Sequence, residues 1–121
     1  MKQYTIPEQT AKLIELGFEK PNPKWVKDEN GDYRVKTNDA DYSIGELIEM
    51  LPMTITEKIW WGGYKGKEGV WGLQIQTCKT EYSWEVSYVR EYSAHLYLEG
   101  RSELVDALYD MAIKLKEEKV I

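Results

Sequence analysis

Between Arg101 and Ile121, Leu104, Val105, Leu108, Met111, Ala112 and Leu115 recur at steps of three and four residues, the spacing that gathers side chains along one face of an α-helix. Glu103, Asp106, Asp110, Lys114 and Lys116 fall on the remaining surface. Ser102 stands where an N-cap would. Glu103 and Asp106 lie near the positive end of the helix dipole, and Lys114, Lys116 and Lys119 near the negative end. Burying such a stripe contributes on the order of 10 kcal/mol gross, at roughly 1.5 to 3 kcal/mol for each large side chain. That matches the net stability of a whole domain, so the rest of the chain must supply a surface that covers it.

The covering surface is predicted between Ile55 and Leu98, where the period changes to two and β-branched and aromatic residues predominate. Four strands are read at 55–61, 70–78, 82–90 and 94–99, and their short connections favour an antiparallel meander. Ile55, Ile59, Trp61, Trp71, Leu73, Ile75, Tyr82, Trp84, Val86, Tyr88, Leu96 and Leu98 are assigned to the face under the helix. The expected fold class is α+β: a mostly antiparallel sheet covered on one face by the C-terminal amphipathic helix, with two shorter helices at its edge.

The shorter helices have their own punctuation. Thr5-Ile6-Pro7-Glu8 reads as a capping box with proline in the first turn, and Leu16-Gly17-Phe18 as the stop. There Gly17 takes the left-handed conformation and Phe18 folds back on Leu13. Pro21 and Pro23 force an extended connection. Asn30-Gly31 is placed at the centre of a type I′ turn that pairs Val26 with Val35 and Asp28 with Tyr33. The same stretch lacks the later ligands of a calcium loop. Ser43 and Glu46 form a second capping box, with Tyr42 stapled onto Leu47 and Pro52 ending a two-turn helix whose apolar face is Ile44, Leu47, Ile48 and Leu51.

With 121 residues, 42% of them hydrophobic, the chain is expected to form one domain, 1–121, around one core. No run approaches the roughly 20 apolar residues of a membrane helix, and the first residues hold no apolar stretch suited to a secretory signal. A cytoplasmic protein with no membrane partner is expected, in keeping with a single cysteine, Cys78. The net charge of −5 has a location: residues 25–61 carry eight acidic and four basic side chains, whereas residues 62–101 carry five of each. No segment is basic, which argues against direct nucleic-acid binding.

Two helical segments, YSIGELIEMLP at 42–52 and ELVDALYDMAIKLKEEKVI at 103–121, resemble segments of small uncharacterised proteins of gut Bacteroidetes and their phages or mobile elements. The resemblance implies a bacterial, intracellular accessory protein and names no functional residue.

Sites are sought on the sheet face away from the helix, to which period-two parity assigns Trp60, Gln74, Gln76, Cys78, Glu85, Ser87, His95 and Tyr97. Aromatic rings beside amides and carboxylates suit protein-binding surfaces and small polar ligands alike. Tyr64 joins them from the glycine- and lysine-rich loop at 62–69, which lacks the Gly-Lys-Ser/Thr ending of a phosphate cradle. His95 is the only histidine and no ligand-spaced motif accompanies it, so no metal or other cofactor is expected. No nucleophile elbow supports Ser87 or Ser93 with His95, and no catalytic motif is present.

The leading expectation is a non-catalytic interaction module, encoded by a phage or mobile element, that binds a protein partner through an exposed sheet face. The candidate binding residues are Trp60, Tyr64, Gln74, Gln76, Glu85, His95 and Tyr97. The alternatives are a small-ligand or carbohydrate binder with Trp60, Tyr64 and Tyr97 as an aromatic platform, and an acidic decoy of a nucleic-acid-binding protein. Carboxylates from Asp28 to Asp41 gathered along one edge would favour the decoy.

Overall fold

The computed structural model describes residues 2–27, 29–36, 40–58, 68–78, 83–90 and 94–121. Helix α1 spans Pro7–Glu15 and is followed by the strands β1 (Lys24–Lys27) and β2 (Tyr33–Lys36). Helix α2 spans Ile44–Met50. Four strands come next, β3 (Thr54–Lys58), β4 (Glu68–Cys78), β5 (Ser83–Arg90) and β6 (Ala94–Arg101), before α3 at Leu104–Glu117. The strands β3 to β6 form an antiparallel sheet in chain order, and β1 with β2 forms a separate antiparallel ribbon. The class is α+β. Helix α3 packs on β5 and β6 and against α2.

The apolar stripe of α3 does what its spacing predicts. Leu104, Val105, Ala107, Leu108, Met111, Ala112 and Leu115 are buried. They share one core with Val86 and Tyr88 of β5, Trp71 of β4, Ile55 of β3, Leu47 of α2 and Leu13 of α1. The Tyr88 hydroxyl donates to the Pro52 carbonyl at 2.7 Å, tying the centre of the sheet to the turn after α2. Burial raises the Tyr88 phenol pKa far above its ordinary value, so this donor keeps its proton.

Helix ends follow local chemistry, with two shifts of one residue. At α2 the Ser43 hydroxyl accepts from the Glu46 N–H at 3.2 Å, and the Glu46 carboxylate accepts from the Ser43 N–H at 3.0 Å. At the end of α1, Phe18 N–H donates to the Leu13 carbonyl and Gly17 N–H to that of Ile14, with Gly17 at φ 98°. This is the predicted Schellman stop. The start of α1 differs: Ile6 is the N-cap and its N–H is satisfied by the Gln9 side chain at 3.0 Å. Thr5 is instead drawn inward, where its hydroxyl meets Thr10 and accepts the Tyr42 N–H. The α3 N-cap is Glu103 rather than Ser102, and its carboxylate accepts the Lys2 N–H at 2.9 Å.

The β1–β2 register also corrects the sequence reading. Trp25 pairs with Val35 and Lys27 with Tyr33, one residue away from the expected Val26–Val35 pairing. A type I′ turn needs positive φ at both central residues; Gly31 has it, at 85°, and Asn30 does not. Five residues therefore separate the two strands, more than a two-residue turn holds. Asp28 lies outside the described residues.

The second correction decides which face β6 presents. Pairing runs Ser87–Leu98 and Tyr88–Tyr97 but then Val89–His95, so Leu96 is an extra residue at a bulge. A bulge reverses the parity of every later residue relative to a regular strand. Leu98, expected in the core, is 46% exposed, whereas Tyr97 packs against the core cluster. With this parity Tyr97 packs into the core, and Arg101 pairs with Asp110 of α3 at 2.8 Å.

Glu99 and Asp106 are consequently expected to respond to pH in opposite senses. Burial, then the Asp110 charge, raises the Glu99 carboxyl above its ordinary value, while Lys114 and Arg101 oppose the shift. Ionised Glu99 therefore opposes folding, a cost absent below the ordinary glutamate range and complete above the raised folded value. Burial also pushes Asp106 upward, but hydrogen bonds from Lys2 and Gln9, each 2.8 Å, and the Lys2 and Arg101 charges outweigh it and lower the carboxyl. Its contribution is present above the ordinary aspartate value and lost as pH falls through the lowered one. Glu99→Gln should raise the thermal midpoint at pH 7 and lose that gain below pH ~4. Asp106→Asn should lower the midpoint at pH 7, with a loss that shrinks in acid. Midpoint differences independent of pH would contradict both assignments.

Candidate functional site

The face of the sheet opposite α3 is built by alternation along β4 and β5. Trp71 is buried toward α3 with Leu73 and Ile75 packed beside it, so Gly72, Gln74 and Gln76 take the other side. Across the ladder Gln74 pairs with Ser87 and Gln76 with Glu85, while Ser87 pairs in turn with Leu98. Gln74 and Gln76 are exposed. The Gln74 amide donates to Gln76 at 3.3 Å, and the Gln76 amide donates to the Glu85 carboxylate at 2.9 Å. This row of amides ends on a negative charge and crosses from β4 to β5.

Apolar side chains frame the row. Val70, further along β4 from Gln74, is 59% exposed, and Leu98, on the edge strand β6, is 46% exposed. Leu98 is presented here only because of the bulge at Leu96. Ser87, between Gln74 and Leu98, is fully buried, and its hydroxyl has no hydrogen-bond partner among the described residues. Such a group costs about 1 to 3 kcal/mol. The face thus combines exposed aliphatic groups with oriented amide donors and acceptors, the mixture found at protein-binding surfaces.

Of the residues expected at a site, Gln74, Gln76 and Glu85 are brought together in one hydrogen-bonded row. Tyr97 is not with them; it sits with the core. His95 pairs with Val89 in the β5–β6 register, and Cys78 with Ser83. Trp60, Tyr64 and the glycine-rich loop through Lys67 lie outside the described residues. Sequence reasoning missed Val70 and Leu98. Alternation from Trp71 places Val70 beside Gly72 and Gln74, so Val70 was legible; Leu98 was not, because its parity depends on the bulge. Of the carboxylates between Asp28 and Asp41, Asp41 accepts from the Thr10 hydroxyl within the N-terminal packing, and Asp39 lies outside the described residues.

No group of three or more His, Cys, Asp or Glu residues that could hold a metal ion occurs among the described residues. Among them no helix is long and apolar enough to cross a membrane. Comparison of the chain with protein-family models, with curated proteins and with solved structures finds no match.

Proposed function

We propose that this protein is a non-catalytic interaction module that docks a protein partner on the open face of the β3–β6 sheet. The observation that supports the reading is the exposure of Val70 on β4 and Leu98 on β6, on the same sheet face as the Gln74–Gln76–Glu85 row. A partner laid across this face covers two aliphatic groups and meets an amide row whose ladder geometry holds it in place. The aromatic-platform alternative loses Tyr97 to the core. The likeness of residues 42–52 and 103–121 to small proteins of gut Bacteroidetes and their phages or mobile elements supports a bacterial cytoplasmic setting and a mobile-element origin.

Site-directed photocrosslinking in the native host tests the docking face. A photoreactive amino acid at Val70, Gln76 or Leu98 is expected to give one and the same protein adduct. The same group at Glu8 or Glu117, on helices α1 and α3, should give none. Adducts that are absent from all three sheet positions, or shared equally with the helix positions, would exclude the face as a docking surface.

A further inference from the structure

A cleft of about 330 Å³ lies between the loop after α1 and one side of α2, and none of its lining residues belongs to a strand. Its walls are tied together across the sequence. The Tyr42 hydroxyl donates to the Glu19 carbonyl, and the Glu46 carboxylate accepts the Asn22 N–H at 2.8 Å while it closes the α2 capping box. Phe18, thrown back by the left-handed Gly17, lines the cleft with Tyr42 and Met50. Tyr42 is buried, and the half-buried Phe18 ring and Met50 thioether are the polarisable surfaces that accept an aliphatic stem.

The charge around those surfaces has one dominant sign. Glu19, Glu46 and Glu49 line the cleft against a single basic residue, Lys20. Glu19, Lys20 and Glu49 make no side-chain hydrogen bond or ion pair among the described residues, and the lining carries more carboxylates than cations. The Phe18 ring already receives one cation: the Lys116 ammonium of α3 stands 5.3 Å from its centroid. The neighbouring Tyr42 phenol is raised to about 12, by burial and then by the Glu46 charge, and stays neutral at physiological pH.

We propose that this cleft binds an alkyl cation, an ammonium or guanidinium head on an aliphatic stem. The stem lies against Phe18 and Met50, and the head lies among the glutamates. An anion is repelled here, and a neutral apolar ligand desolvates carboxylates without pairing them. A volume of this size suits a small molecule or one long side chain. The proposal stands independently of the docking face.

The test is an amide NMR titration of the whole protein with agmatine and, separately, with the blocked tripeptide acetyl-Gly-Arg-Gly-amide, against neutral n-butylurea. Saturable shifts confined to residues 17–23 and 42–51 are expected with the two cations and not with the urea. Tighter binding of the tripeptide assigns the cation to a side chain of a protein; tighter binding of agmatine assigns it to a free amine. Glu49→Gln, at an exposed position, should weaken both by about two- to fivefold, the size of one exposed charge contact. Glu19→Gln supplies the same test should the first variant fold poorly. No saturable shift, equal shifts with the urea, or unchanged affinity in both variants would overturn the proposal.

Discussion

Replacing Leu108 by alanine is expected to destabilise the protein by about 2 to 5 kcal/mol. Leu108 is fully buried at the middle of the α3 stripe, in the same cluster as Val105, Met111, Val86 and Tyr88. Neighbours on a helix and a sheet cannot collapse into the space that the truncated side chain leaves, so the loss includes a cavity cost as well as transfer. Denaturant unfolding should show a lower midpoint with an unchanged slope. A change within about 0.5 kcal/mol is what surface positions show, and it would mean that α3 does not bury this face.

Tyr88→Ala should cost about 3 to 5 kcal/mol by the same reasoning, and a companion variant separates ring from hydroxyl. The ring is fully buried at the centre of β5, and the hydroxyl holds the Pro52 carbonyl where the chain passes from α2 to β3. Tyr88→Phe keeps the ring and removes only that donor, so about 0.5 to 1.5 kcal/mol is expected. Equal losses in the two variants would place the anchoring in the hydrogen bond and not in the packed ring.

Where the determining interactions are local, the fold was legible from the residues. The Ser43–Glu46 box, the Gly17–Phe18 stop and the α3 stripe each depend on residues within a turn or two, and each occurs where its spacing predicts. Thr5 was read one position too early because its hydroxyl serves Tyr42 and Thr10, and the pull of a distant partner has no local sign. The Leu96 bulge is likewise invisible in a period-two pattern, since Leu96 and Leu98 alternate as core residues do. The contacts that go with the shifted parity, Tyr97 packed against the core and Arg101 meeting Asp110 of α3, exist only after the helix has docked.

The candidate site divides in the same way. Gln74, Gln76 and Glu85 were found because β4 and β5 pair without interruption, so alternation alone fixes their side. Tyr97 was misplaced and Leu98 overlooked because both follow the bulge. The cleft has no local signature in the sequence, because its two walls, residues 18–22 and 42–50, are brought together by long-range contacts such as those of Tyr42 with Glu19 and of Glu46 with Asn22.

Leu98→Lys bears most directly on the docking face, because one substitution reads both parity and binding. On an open face, lysine at a position already 46% exposed should leave the unfolding free energy within about 0.5 kcal/mol of its original value. It should also abolish the adduct formed from a photoreactive group at Gln76. A variant that unfolds would place Leu98 in a core, and one that keeps both its stability and its adduct would leave the open sheet face without a partner.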